Sequence, residues 1–438
     1  MHGDFSRLTF QPGKHNTAVL SQQGRLRLDA EDNEQAAIQA HLARRLTMDL
    51  IGPHAGPCAD LGFTLTRTEG GDEPDLTIGP GRYYVDGILC DATRADGGAW
   101  TYLTQPDAFI DPDTDRLPDN GCFLVYLRVR ERVVSAIEDP DLQEKALGPA
   151  LPGTTLRLRV SWQVLVARDF EPKDFESVQA AFKAWAEDKR THHSLAAVGV
   201  ERPGNASDNP CIINPDAAYR GPENQLYRIE VHRSGAAGTA TFKWSRDNGS
   251  AVYTISEVEG DWVTVTGSTD DKMLPEVEDW VEVVDDTALR DAEPGPLLQV
   301  VDVDFGGRRV RLSGPPADGV GRDAARHPYL RRWDQRAAGR GGPKLSGGAV
   351  PIVEDEWIPL EQGVQVKFGL EGSYRTGEYW TVAARTLDGD VEWPEADGQR
   401  VLLPPFGPDE HLAPLKWFEP NGEEQDLRMQ FDPIAKPV

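Results

Sequence analysis

Residues Glu223 to Ser250 read ENQLYRIEVHRSGAAGTATFKWSRDNGS, and this stretch decides the fold class. In Leu226-Tyr227-Arg228-Ile229-Glu230-Val231-His232 apolar and polar side chains alternate, the period of a strand with one face buried and the other wet. Gly235-Ala236-Ala237-Gly238 is flexible enough to reverse the chain, and Thr239 to Trp244 can pair back. Asp247-Asn248-Gly249 tolerates the positive φ angles of a tight hairpin. The stretch reads as β architecture and holds no catalytic constellation.

The same signals recur on both sides of it. Gly81 to Leu89 reads as strand, Asp86-Gly87 turn, strand, and Phe123 to Val134 and Thr155 to Val166 are longer strand runs. Trp262 to Val265, Trp280 to Val284, Leu297 to Val303 and Val310 to Leu312 are short strands at even spacing, the pattern of a small barrel or sandwich. Val350 to Leu403 returns to strands. Two helices stand out. One is capped by Asp29 or Asp32, carries Ala36, Ile38, Leu42, Leu46 and Leu50 near helical spacing, and stops at Gly52-Pro53. The other runs over about 172–190, with Phe175, Val178, Phe182 and Trp185 on one face. Ahead of the first helix, residues 1–28 read as an extended arm with Phe5, Leu8 and Phe10 and a Pro12-Gly13 turn.

The expected fold is therefore mainly β with minor helices: two or three small β-sandwich or barrel modules behind an N-terminal extended arm and helix. Composition shifts divide the chain into an arm and helix at 1–53, a first β module at 54–190 and a second at 191–318. A basic Gly-rich linker follows at 319–348, then a C-terminal β module and tail at 349–438. No repeat of fixed period stands out, which argues against a solenoid or β-helix fibre.

Charge and motifs narrow the function. A net charge of −26 over 438 residues argues against general nucleic-acid binding, which needs clustered Lys and Arg. The N-terminus has no charged-then-apolar leader and no run of about 18 apolar residues occurs, so membrane insertion is not expected. Cys58, Cys90, Cys122 and Cys211 lie far apart and form no CxxC pair, so buried free thiols are expected in place of a zinc or redox motif. Asp29-Glu31-Asn33 has the look of a calcium loop, but Glu34 stands where the loop needs Gly. His192-His193 are adjacent and would point to different faces. There is no HExxH, GxSxG or phosphate-loop order. No catalytic residue, metal or cofactor is expected. Trp244, Trp262, Trp280, Trp357, Trp380 and Trp393 suit strand cores, although sugar-stacking platforms use the same residues.

Several stretches carry a resemblance: GDFSRLTFQPGKHNTAVLSQQGRLRLDAEDNEQ at the N-terminus, GRYYVDGILC (Gly81 to Cys90), ENQLYRIEVH with FKWSRDNGS, HPYLRRWDQ (His327 to Gln335), YRTGEYWTVAARTLDGDVEWP (Tyr374 to Pro394) and HLAPL (His411 to Leu415). Together, in this order, they resemble an uncharacterised family found with contractile, phage-tail-like injection systems. The acidic stretch of this chain reads LDAEDNEQ where the family pattern reads LDADWNEQ. The resemblance implies a structural, non-enzymatic baseplate-end component of such a particle, acting as a cage, extension or fibre-attachment module. It would be assembled in the cytoplasm, carried out of the cell with the particle, and surrounded by other baseplate or tail subunits. A symmetric homo-oligomer is the expected state. The alternatives are a receptor- or glycan-binding tail fibre protein and a polysaccharide-hydrolysing tip enzyme.

Two partner-binding sets are expected. The first lies in the arm: Phe5, Arg7, Phe10, Gln22, Gln23 and Arg25, which could pair with a partner's exposed edge. The second is the one basic island of an acidic chain, Arg322, Arg326, Arg331, Arg332 and Arg336, whose guanidinium forks suit carboxylates of a neighbouring copy or of this chain itself.

Overall fold

The strand Gln225–Arg233 lies at the centre of the architecture, and every residue from Leu226 to His232 is buried. We describe the chain from a computed structural model covering residues 1–68, 74–111, 114–118, 121–147, 153–173, 176–201, 218–266, 274–290, 294–336, 343–419 and 422–434. The fold is mainly β, with short sheets, one closed barrel and two α-helices among these residues.

Two compact units divide the chain, and they are interleaved along it. The first comprises Met1–Thr9, Val133–Arg157 and His192–Pro408; the second comprises Phe10–Arg132, Leu158–Thr191 and Asp409–Val438. This differs from the consecutive segments expected from composition. The physical reason is long-range strand pairing, which local composition does not register. His411–Phe418 pairs antiparallel with Phe123–Val134, and Val364–Phe368 pairs with Ala196–Val200. Residues 202–217, shortly after the division expected between 190 and 191, lie outside the described residues.

In the first unit, Gln225–Arg233 pairs antiparallel with Thr241–Ser245 on one side and Tyr379–Arg385 on the other. Val350–Pro351 and Asp390–Val391 complete this five-stranded sheet. Its apolar face (Tyr227, Ile229, Val231, Phe242, Trp244, Trp380) shares one core with Val198, Val364, Val366 and Phe368 of a three-stranded sheet. Each such fully buried side chain contributes about 1.5–3 kcal/mol, so this sandwich core is a principal source of the unit's stability.

The same unit holds the closed six-stranded barrel: Val252–Glu259, Trp262–Thr266, Arg309–Leu312, Leu298–Asp304, Trp280–Val284 and Tyr329–Trp333, in order around the ring. Closure removes sheet edges, and Val263, Val281, Val300, Val310 and Leu330 fill the interior. Tyr329–Trp333 lies in the stretch expected to be a linker; it is a barrel strand, paired on both sides. Residues 337–342 of that stretch lie outside the described residues. Asn248 and Gly249 take the expected positive φ values, 49° and 65°. They join the five-stranded sheet to the barrel and do not close a hairpin.

The second unit contains three sheets and both helices. Gln430–Phe431, His54–Pro57, Arg82–Val85 and Ile88–Asp91 form one sheet; Leu65–Arg67, Leu76–Ile78 and Trp100–Thr101 form another. The third places Glu424–Asp426, His411–Phe418, Phe123–Val134 and Arg157–Ala167 side by side. Phe63, Tyr83, Leu127, Trp162 and Phe418 meet in their common core.

Helix α1 spans Asp29–Ile51 and α2 spans Val178–Arg190. The residue preceding α1 is Leu28, not an acidic cap. Its N–H donates to Glu31 Oε2 at 3.1 Å, while Asp29, Glu31 and Asp32 place negative charge in the first turn, where the helix dipole favours it. Gly52 ends the helix at φ 84°. α2 begins later than expected because Ser177 caps it, accepting from Ala180 N–H at 3.2 Å; Phe175 lies outside the described residues. Three described cysteines are free thiols. Cys90 is buried as expected, but Cys58 and Cys122 are exposed; Cys211 is outside the described residues.

Candidate functional site

Arg228, Glu230 and His232 occupy the face of Gln225–Arg233 that alternation assigns to solvent, yet all three are buried in the first unit. Glu230 stands directly opposite Lys243 in the antiparallel register. Its Oε2 accepts from Arg228 Nε at 2.6 Å, and its Oε1 lies 3.4 Å from Lys243 Nζ. Lys243 Nζ also donates to Glu282 Oε2 at 2.7 Å, on the barrel strand Trp280–Val284. The same Glu282 oxygen accepts from Trp333 Nε1 at 3.0 Å, and the Lys243 ammonium lies 4.4 Å from the Trp333 ring centroid. On the other flank, the Arg228 guanidinium stacks 3.7 Å from the Tyr379 ring centroid.

The N-terminal segment closes over this cluster. His2 Nε2 lies 3.0 Å from Glu230 Oε2 and 3.3 Å from Arg331 Nη1. A guanidinium only donates and a carboxylate only accepts, so this one nitrogen cannot serve both; carrying the proton, it serves the closer carboxylate. Asn248 Nδ2 donates to the carbonyls of Met1 (3.2 Å) and Gly3 (3.0 Å), and Arg228 Nη1 also reaches the Met1 carbonyl at 3.2 Å. Gly249 is required at this point: a Cβ on it would stand 2.6 Å from the His2 ring, at a φ that already disfavours side chains.

The electrostatics follow from two cations, Arg228 and Lys243, two carboxylates and the His2 imidazole sharing one site. Burial alone would raise the Glu230 carboxyl, but Arg228, Lys243 and His2 hold it well below the ordinary carboxylate range. Glu282 is likewise lowered, burial being outweighed by Lys243. Burial, then Arg228 and Arg331, push His2 well below the usual imidazole value. Burial, then Lys243, bring His232 to about 4, and its Nδ1 has no hydrogen-bond partner. Carboxylates whose pKa is lowered stay charged near neutrality and serve poorly as proton donors or acceptors, whose best pKa lies near the working pH. What the arrangement does well is cross-link: it ties the central sheet, the barrel and residues 1–3 through charge-assisted hydrogen bonds.

The expected arm set is split between the two units. In the first, Phe5 is half-buried beside Gly3, and Arg7 pairs with Glu392 at 3.2 Å. In the second, Phe10 packs on His41 at 5.5 Å between centroids. The chain then runs back along α1, with Asn16 bonded to Glu34 and Val19 N–H to Gln35. Gln22, Gln23 and Arg25 sit in an exposed turn around Gly24.

All five basic-island arginines have partners within the first unit. Arg322 donates to the Val258 carbonyl at 3.0 Å, and Arg326 pairs with Asp323 at 3.5 Å. Arg331 donates to the Tyr329 hydroxyl at 3.1 Å beside His2. Arg332 lies 3.6 Å from Asp247 and 3.5 Å from Asp334, and Arg336 is 2.8 Å from Asp279. Trp244, Trp380 and Trp393 are core residues, Trp262 and Trp280 are partly covered, and Trp357 is 39% exposed.

Sequence reasoning missed the cluster of His2, Arg228, Glu230, Lys243, Asn248, Glu282 and Trp333. A signal was present: the face assigned to water carries Arg, Glu and His, with a Lys opposite the Glu. Among the described residues no group of three or more His, Cys, Asp or Glu side chains could hold a metal ion, and no helix is long and apolar enough to cross a membrane.

No curated protein and no solved structure matches the chain. A family model described as a family of unknown function, DUF6519, matches residues 1–187 and 177–433. With nearly its whole length matched, from the N-terminal clasp through the HLAPL strand, the chain belongs to this family of unknown function, DUF6519.

Proposed function

We propose that this chain is a structural, non-enzymatic component of a contractile, phage-tail-like injection particle, placed at the baseplate end as a cage, extension or fibre-attachment module. One observation supports a structural role above the others. Stretches that resemble the injection-system family, ENQLYRIEVH, FKWSRDNGS, HPYLRRWDQ and YRTGEYW, place Glu230, Lys243, Trp333 and Tyr379 in one cross-link within the first unit. Their charged groups are spent on one another, as suits a rigid body that transmits load. The partners would be other baseplate or tail subunits, with several copies of this chain arranged symmetrically. Assembly would take place in the cytoplasm, and the chain would leave the cell with its particle.

The test is subunit-resolved mass spectrometry of contractile particles purified from the cells that encode the chain. The expected result is the chain present at a fixed whole-number stoichiometry to a baseplate subunit. Particles that are complete and lack it would overturn the proposal.

A further inference from the structure

On α1 the face turned inward carries Ala30 and Ile38, and the backbone of Arg44 rests on the Asp86-Gly87 turn, where a Cβ on Gly87 would meet the Arg44 carbonyl at 2.5 Å. The stripe that follows Ile38 round the helix is bare. Leu42, Leu46 and Leu50, one helical turn apart, are 44, 62 and 59% exposed. The returning arm contacts α1 at Glu34, Gln35 and His41 and leaves these three leucines uncovered. Single exposed leucines are ordinary on a surface; three in register along one helix face make a patch that calls for a partner.

Arg45 and Asp49 border this stripe on one side. Both are exposed, and neither makes an ion pair within the described residues. Ala43 and Thr47, small enough for close approach, border it on the other side. We propose that the stripe docks against the same stripe of a second copy of this chain, with the two α1 helices antiparallel about a twofold axis near Leu46.

Self-complementarity favours this occupant. In an antiparallel pair centred on Leu46, Leu42 lies opposite the second copy's Leu50, and like flanks meet like flanks. Arg45 then falls about 3 Å along the axis from the other copy's Asp49, within reach of its side chain, and the reciprocal pair forms by symmetry. A twofold interface needs one patch that matches itself, and a row of leucines edged by one cation and one anion a turn apart does so. The patch is small: three leucines a side fall short of the roughly 1,200 Å² that stable interfaces bury, so the isolated dimer is weak and gains strength when copies are held together in an assembly. Pairing of the stripes is independent of the injection-particle reading, and the test uses the purified full chain alone.

Sedimentation velocity is run up to about 100 μM, a range in which small interfaces become populated. The native chain is expected to dimerise reversibly and Leu46→Glu to remain monomeric, with unchanged circular dichroism and melting. Arg45→Glu and Asp49→Arg, each placing like charges together, should weaken the dimer about tenfold or more, and the double variant should regain native affinity. Under oxidation Leu46→Cys should cross-link to its own copy well above the background from Cys58 and Cys122. A native chain that stays monomeric throughout overturns the proposal, as does a dimer indifferent to Leu46→Glu or a charge swap without rescue. If Leu46→Glu impairs capture into particles while the native chain never dimerises, the stripe serves a different subunit and the twofold pairing is wrong.

Discussion

His2 Nε2 lies 3.0 Å from Glu230 Oε2, joining residues 228 positions apart in the sequence. Because Glu230 also binds Arg228 and faces Lys243, this contact lays the N-terminal segment over a cluster that would otherwise present buried charge to water. Breaking a buried, multiply paired charge costs more than the pair's net worth, since the abandoned partners remain desolvated.

Glu230→Ala should therefore destabilise the first unit by about 3–5 kcal/mol, read as a lower urea midpoint. Lys243→Ala leaves Glu282 short of its cation and should also be costly. The double variant should cost clearly less than the sum of the singles, with a coupling of about 1 kcal/mol or more. Additive costs would show that the two side chains do not share one network.

Acid should loosen the same unit through His232. Burial, then Lys243, hold its pKa near 4 in the folded chain against 6.5 for the free side chain. With the folded pKa depressed, the unfolded chain takes up the proton first as pH falls. The stabilising contribution is complete above pH 6.5 and is lost between 6.5 and about 4, on the order of 3 kcal/mol in all. His232→Phe should show a shallower loss of stability than the native chain across that window. His54 in the second unit, lowered to about 4 chiefly by burial, acts in the same direction and is common to both proteins. Parallel pH profiles for the two would exclude His232 as the cause.

Much of the local structure was legible in the sequence because local rules govern it. Alternation placed the strand at Leu226 to His232, helical spacing and Gly52 placed α1, and Asp86-Gly87 gave a two-residue turn with φ values of 48° and 76°. What covers a strand is not local. Alternation separates Tyr227, Ile229 and Val231 from Arg228, Glu230 and His232, but only the return of His2 and Trp333 from distant positions turns the polar face into an interior one. The basic island misled for a related reason. Composition registers an excess of arginine, whereas Asp247 and Asp279, which Arg332 and Arg336 meet, lie elsewhere in the chain.

Gly87 offers a test of how α1 is seated in the second unit. Its φ of 76° already disfavours a side chain, and a Cβ there would stand 2.5 Å from the Arg44 carbonyl, a backbone atom that cannot swing aside. Gly87→Ala should cost more than about 1 kcal/mol from backbone strain alone, with the clash added. Hydrogen exchange should rise first along Asp29–Ile51. Gly97→Ala, with φ 74° and open space around it, carries only the strain and serves as the comparison. Equal losses for the two variants would mean that helix contact with the turn contributes nothing.

Charge reversal in the basic island separates a role inside the unit from one between copies. Arg331 lies beside His2 and Tyr329, and Arg332 faces Asp247 and Asp334; both side chains are partly buried. A glutamate at 332 would face Asp247 and Asp334, and one at 331 would forfeit the bond to the Tyr329 hydroxyl, so Arg331→Glu with Arg332→Glu should destabilise the purified chain by about 3 kcal/mol or more. Salt screens exposed charges within about 10 Å at 0.1 M but reaches buried ones poorly, so the loss should persist at high ionic strength. Arg326→Glu disturbs only an exposed pair with Asp323, worth about 0–1 kcal/mol, and its effect should fade with salt. Urea midpoints at low and high salt decide the matter. A double variant as stable as the native chain would leave these arginines to a partner, with no part in holding the first unit together.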